Sequence, residues 1–405
     1  MERVVCRSSL LAVLLAVTIL SGATPLGAAS QGESHPAASS INAFALDMYN
    51  QIKKADANLF FSPYSVSACA AMAYAGAGGN TASQMAKVFR YSLDQKELSR
   101  SFASLNGALF ASSRAGDLRL NIANAMWGQQ GYGFRKEFLE LLQSDYGSTL
   151  REVDFAKAYE QARQAINRWA EEETGGKIKD LLAPETITSV TVLVLTNAVY
   201  FKGMWQSVFE EKATKHEPFT LLDGSTMSAA LMRQTGNFPY TEGDSFQALE
   251  LPYKGEDLSM VVFLPRRHDG LDMFEKSLTM ENLDNWCGGL QPRPVRVFLP
   301  RFEMTDSFML NNALKSMGMI DAFSSSADFS GMTGRKDISV SGVIQKTFIK
   351  VSEEGTEAAA ATGMVVAKAG KPFDEVEFRA DRPFIYLIRH RPSGCILFMG
   401  RLVRP

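Results

Sequence analysis

Apolar positions recur with a helical period through the first quarter of the chain and give way to long apolar runs later. Ile41, Phe44, Ala45, Met48 and Tyr49 stand three and four residues apart, as on a helix with one buried face. After the turn Ser62-Pro63, the stretch Val66 to Gly76 is small and apolar on nearly every side, which predicts a helix buried all round. The pattern stays mainly helical from Ser40 to about Phe110. Tyr159 to Glu173 predicts another helix, with Ala162, Ile166 and Trp169 on one side and charges opposite, and Thr174-Gly175-Gly176 ends it. Val190 to Phe201 is continuous and β-branched, which predicts a strand buried on both faces. Leu258 to Leu264 and Val295 to Phe298 read the same way. Phe384 to Ile388 and Cys395 to Met399 flank the turn sequence Arg391-Pro392-Ser393-Gly394, a hairpin. Helices early and strands mostly late predict an α+β fold rather than a wound parallel sheet.

Composition adds size and address. The chain has 405 residues, 46% apolar and 21% charged, enough for a large core. No linker divides it, so residues 40–405 are expected to form one domain. Arg3 and Arg7 precede the apolar run Leu10–Leu20, eleven residues long. Such a run is too short to cross a bilayer and suits the core of an export signal. Ser21-Gly22-Ala23 and Gly27-Ala28-Ala29 offer small residues for cleavage. Residues 1–29 are therefore expected to be a signal peptide and 30–39 a short flexible segment. The protein is expected to be secreted, to the extracellular space or to a bacterial periplasm, as a monomer with no membrane partner. Net charge is −2, and removing Glu2, Arg3 and Arg7 leaves −3. With no basic block, nucleic acid is not an expected partner. Outside the signal, Cys69, Cys287 and Cys395 are widely spaced in apolar surroundings and read as small buried side chains, not as a disulfide framework or zinc site.

Enzyme chemistry finds no foothold. The four histidines, His35, His216, His268 and His390, show no metal-ligand spacing and read as solvated surface residues. No Gly-x-Ser-x-Gly elbow or Walker loop is present. Gly76, Gly78 and Gly79 lack the final glycine of a phosphate loop and follow a helix. No catalytic residue, metal or cofactor is expected.

The informative segment is Glu353-Glu354-Gly355-Thr356-Glu357-Ala358-Ala359-Ala360-Ala361-Thr362-Gly363-Met364-Val365-Val366-Ala367-Lys368-Ala369-Gly370. Its alanines favour a helix. Read with a period of two, Thr356, Ala358, Ala360, Thr362, Met364 and Val366 instead form an uncharged face suited to a central strand. Gly355, without a β-carbon, suits a hinge. On these residues alone, helix and strand-forming loop stand level.

The segment resembles the reactive-loop hinge of the serpins, and other motifs agree. Asn58-Leu59-Phe60-Phe61-Ser62-Pro63-Tyr64-Ser65, Ile166-Asn167-x-Trp169 and Thr174-x-Gly176-Lys177-Ile178 are similar to serpin motifs. So are Leu195-Thr196-Asn197-Ala198-Val199-Tyr200-Phe201-Lys202-Gly203-x-Trp205, Glu250-Leu251-Pro252-Tyr253, Leu299-Pro300-Arg301-Phe302 and Phe378-x-Ala380-Asp381-Arg382-Pro383-Phe384. The resemblance implies three β-sheets wrapped by eight or nine helices, with an exposed reactive loop at about 353–377. It implies a suicide substrate: a serine protease cuts the loop, is trapped as an acyl-enzyme, and the hinge inserts into the main sheet. About ten inserted residues at about 1 kcal/mol per hydrogen bond give on the order of 10 kcal/mol gross. Glu353 to Thr362 correspond to the hinge, with Gly355 and Thr356 first to insert and Ala358–Ala361 as the run of small residues. Family spacing puts the reactive bond at Ala369-Gly370, implying an elastase-like or subtilisin-like target. One residue earlier, Lys368-Ala369, would imply a trypsin-like one. Ser62, Ser65 and Asn197 match the sheet-opening region, where Gln345 replaces the family's histidine. Glutamine can form the same latch but cannot titrate. Trp205 is expected near the top of the opening or as an ordinary core residue. A relative that is cut without inhibiting, a carrier or chaperone, is the alternative.

Overall fold

The computed structural model describes residues 35–115, 119–356 and 375–405. Within the first span lie helices Pro36–Ile52, Pro63–Tyr74, Gly79–Val88 and Gln95–Ala115. The second of these is buried at all twelve residues, as its uniformly apolar sequence predicts. Pro63 occupies its first turn, and the Ser62 side chain caps it by accepting from the Ser65 N–H. The helix predicted from Tyr159 spans Phe155–Glu173, but Ala158 breaks it (φ −140°, ψ 39°), so its regular part begins at Tyr159.

Two sheets form the body. The six-stranded sheet runs, edge to edge, Phe302–Met309, Val340–Ser352, Gly355–Thr356, Leu193–Met204, Arg119–Gln129 and Leu150–Val153. Leu193–Met204 lies in its middle. On one face it meets the core around Pro63–Tyr74, where Cys69 lies against Thr196. On the other, Val194 and Ala198 pack with Ala162, Ile166 and Trp169 of Phe155–Glu173. That double burial explains the unbroken apolar run.

The second sheet has nine strands and is built around the hairpin Phe384–His390 and Cys395–Leu402. Three sheets were expected. Hydrogen bonding joins the two smaller ones through the long strand Thr226–Glu242, which pairs with Gln291–Pro300 over Leu231–Tyr240 and with Phe246–Pro252 over Tyr240–Glu242. Ten α-helical segments occur among the described residues, the shortest being the four residues Ser330–Thr333.

One sequence reading fails. His390 is not solvated but 1% exposed, because it ends a central strand of the second sheet under Gln95–Ala115, where Ser112 meets it. The thiols of Cys69 and Cys395 are buried, and Cys287 is half-buried. Burial pushes the Cys69 thiol up to about 12, which keeps it an unreactive neutral thiol.

Candidate functional site

A two-residue turn at Glu353-Glu354 reverses the chain, so that Ser352 pairs with Gly355 and Val351 with Thr356. On its other side Gly355 pairs with Met204 and Thr356 with Gly203. Two residues thus lie wedged between strands that pair directly, in parallel, lower down. There Asn197 stands beside Gln345 and Tyr200 beside Phe348. Position 355 must be glycine: its φ is +152°, and a β-carbon would collide with the Gly203 carbonyl.

Several groups hold the wedge. Thr356 is fully buried, and its hydroxyl lies 2.7 Å from that of Tyr253. Burial holds the Tyr253 phenol well above its usual range. The Trp205 indole stacks on Tyr253, with centroids 4.6 Å apart and planes 11° from parallel. Its ring N–H donates to Ser352 O at 3.0 Å, and its main-chain N–H to Glu354 O at 2.9 Å. Trp205 is thus a buried core residue packed against the turn. Beneath the turn, the buried Glu353 carboxylate accepts Arg301 Nε at 2.6 and 2.7 Å, together with the Thr214 hydroxyl. Phe209 N–H donates to Glu353 O at 2.9 Å.

A second cluster lies six residues further down the strand from Gly203, a distance of roughly 20 Å. Gln345 and Ser62 exchange two hydrogen bonds. Ser62 N–H donates to Oε1 and Nε2 donates to Ser62 O, each at 3.0 Å. The amide thus imitates a strand partner. Ser62 Oγ donates to Leu397 O at 2.7 Å. Ser65 Oγ lies 2.6 Å from Asn124 Oδ1, its shorter acceptor, and 2.9 Å from Asn197 Oδ1. Asn197 Nδ2 reaches Ile344 O at 3.5 Å. Ser62, Ser65, Asn197 and Gln345 are all fully buried, so the bonds among them are made without competition from water, while the half-buried Asn124 closes the cluster on one side.

The structure therefore gathers Glu353, Glu354, Gly355, Thr356 and Trp205 at one level and Ser62, Ser65, Asn197 and Gln345 at another. Glu357, Ala358, Ala359, Ala360, Ala361, Thr362, Lys368, Ala369 and Gly370 lie outside the described residues, as do residues 1–34. Sequence reasoning missed Tyr253, Arg301 and Asn124 as parts of these clusters. The first two sit inside the quoted motifs Glu250–Tyr253 and Leu299–Phe302, where they could have been found. Asn124 lies in no motif and carried no signal.

A family model described as Serpin (serine protease inhibitor) matches residues 39–405. The leukocyte elastase inhibitor of Bos taurus is 44% identical over 372 residues, covering 89% of this chain and 97% of that protein. A serpin-like protein of Thermococcus kodakarensis is 39% identical over 378 residues, covering 93% and 87%. The crystal structure of uncleaved ovalbumin superposes with a TM-score of 0.82 at 30% identity, covering 92% of this chain and 100% of that one. Two residues wedged in a six-stranded sheet, a buried polar cluster beneath them and these similarities lead to one conclusion: the chain belongs to the serpin family of serine protease inhibitors.

Proposed function

We propose that this chain is a suicide-substrate inhibitor, cut in the stretch after Thr356 and then drawing that stretch into its six-stranded sheet. It is an inhibitor of serine proteases, not an enzyme. The observation that carries the mechanism is the pairing of Gly355 and Thr356 between Leu193–Met204 and Val340–Ser352. Each hinge residue faces the residue of Leu193–Met204 whose number brings the pair to 559, and the residue of Val340–Ser352 that brings it to 707. Run on, this register carries Thr362 between Asn197 and Gln345. Because faces alternate along a strand, Ala358, Ala360 and Thr362 would share the core side of Thr356. Glu357, Ala359 and Ala361 would pass beneath Phe155–Glu173. The core side carries no charge, so nothing in it resists burial.

Ala369-Gly370 is our reading of the reactive bond. A small residue there fits an elastase-like or subtilisin-like enzyme, and the likeness to a protein named leukocyte elastase inhibitor favours the former. Cleavage after Lys368 would indicate a trypsin-like target. Arg3, Arg7 and the Leu10–Leu20 run support export, and we assign the inhibitor to the secreted fraction as a monomer.

The test is incubation with elastase, subtilisin and trypsin. We expect a denaturant-resistant band of summed mass with elastase, a released fragment beginning at Gly370, and a sharp rise in melting temperature after cleavage. A nicked chain with no complex and an unchanged melting temperature marks a plain substrate and overturns the mechanism.

A further inference from the structure

One strand of the six-stranded sheet is flanked on both sides for only part of its length. Arg119–Gln129 pairs with Leu193–Met204 from Arg119 to Gly128, but with Leu150–Val153 only from Met126 to Gln129. Gly147, at φ +59°, carries the chain up to Leu150 from helix Lys136–Tyr146, and among the described residues no strand lies beside the first half of Arg119–Gln129 on that side. Main-chain groups of a strand face alternate sides. Gln129 N–H donates to Val192 O at 2.8 Å toward Leu193–Met204, whereas Asn124 O accepts from Ser148 Oγ at 3.2 Å on the other side. Even-numbered residues therefore face outward. The N–H and C=O groups of Leu120 and Ile122 meet no partner there among the described residues. Sheet edges are usually blunted by charge, proline or cover, yet Leu120 to Ala125 carries neither charge nor proline. Such an edge is a template for another strand.

The edge opens onto a cavity of about 300 Å³. Ala123 and Ala125 turn their small side chains toward helix Phe155–Glu173 and floor it. Trp169 and Glu173 of that helix line it, as do Ser148 and Arg151. The Arg151 guanidinium lies 5.6 Å from the Trp127 ring and 5.7 Å from the Trp169 ring, and the two indoles meet edge to face at 5.4 Å. The cation is thereby held in place, and no carboxylate pairs with it among the described residues. Glu173 has an interaction of its own, and its like charge steers an entering acid toward Arg151. Charge thus identifies the occupant: an extended chain with an acidic side chain.

We propose that the open edge at Leu120 and Ile122 binds an extended acidic segment of a partner protein as an added strand. The guest's main chain pairs with the outward groups of Leu120 and Ile122. A guest residue beside the half-buried Ile122 is apolar. The next one, beside Ala123, points into the cavity and brings its carboxylate to Arg151, which supplies the selectivity. The edge is open in the uncleaved protein, so this inference stands apart from the inhibitory mechanism.

The probe is the peptide fluoresceinyl-Thr-Val-Glu-Val-Thr-amide, titrated with intact protein and read by fluorescence polarisation. Saturable binding is expected. It should weaken about tenfold or more when glutamine replaces the peptide's glutamate, when both valines are N-methylated, and in the variant Arg151→Ala. Arg151 is exposed, so the variant should keep its melting temperature. The charge-reversed Arg151→Glu should instead prefer the peptide with lysine in place of glutamate. Absence of saturable binding overturns the proposal. So does binding that Arg151→Ala leaves unchanged, which would place the peptide elsewhere, as between Leu193–Met204 and Val340–Ser352. Self-association of the protein without peptide, abolished by Arg151→Ala, would give the edge to a second copy and overturn the choice of guest.

Discussion

At position 356 one side chain meets two demands. It must be small enough to fit between Val351 and Gly203, and it must satisfy the buried Tyr253 hydroxyl, which it meets at 2.7 Å. Threonine does both, and its β-branch suits a strand. Thr356→Arg would bury a charge beside the Tyr253 hydroxyl, and burial of an unpaired charge costs far more than two ladder pairs return. The hinge should therefore stay out of the sheet, and insertion should lag behind hydrolysis. The expected outcome is cleavage by elastase with little covalent complex, read as a steep rise in the moles of inhibitor consumed per mole of enzyme. Full complex at unchanged stoichiometry would show that Thr356 is not the leading residue. Gly355 and Thr356 were legible in the sequence because their chemistry is local: no β-carbon, small size, no charge. Tyr253 stood in a quoted motif, but its contact with Thr356 did not show there, because the two lie 103 residues apart and nothing in the periodicity joins them.

At the scale of elements, the Val340–Ser352 strand is fastened at two heights. Gln345 ties it to Ser62, while Glu353 just past its end ties it to Arg301. The Arg301 N–H also donates to Ala230 O in the second sheet at 2.9 Å, so this ion pair ties the turn at Glu353-Glu354 to the second sheet. Glu353→Gln keeps the shape and removes the charge. A hydrogen bond to a charged group contributes about 1.5–3 kcal/mol, so the native protein should melt a few degrees lower. With the top freed, the sheet should also open spontaneously, and inhibitory activity should decay faster on warm incubation. Calorimetry and residual inhibition, measured on the same samples, check both. Elements with one clean period were legible: the all-buried helix Pro63–Tyr74 and the doubly buried strand Leu193–Met204. Thr226–Glu242 was not, since its burial changes phase along seventeen residues as it passes from one part of the sheet to another, and no single alternation survives. Arg119–Gln129 was missed for a related reason: Asn121 and Asn124 interrupt its apolar run, although the strand sits inside the sheet.

For the whole molecule, acid acts at a place remote from the opening. The buried His390 joins three parts of the fold: its own hairpin, the end of Gln95–Ala115 and the turn at Asp257. Ser112 Oγ donates to Asp257 Oδ2 at 2.8 Å and lies 3.0 Å from His390 Nε2, while His390 Nδ1 lies 2.7 Å from Ser393 Oγ. With the Ser112 proton committed to Asp257, the Nε2 hydrogen points at Ser112, and a neutral ring satisfies the chain. Burial lowers the His390 pKa below 6.5; Asp257 opposes that shift and His35 adds to it. His35 is lowered by its own burial. The native state therefore binds fewer protons than the unfolded chain below about pH 6.5. Stability from these groups is whole above that pH and is lost as pH falls through the lowered native values. The latch at the opening adds nothing, because Gln345 does not titrate. Melting temperature should thus fall between pH 7 and 5 by a similar amount in the intact and the loop-cleaved protein. His390→Gln should flatten that slope in both, while the rate of insertion after cleavage should hardly change with pH over the same range. A pH-dependent insertion rate with pH-independent melting would place the titrating group at the opening instead, against the geometry of Ser62 and Gln345.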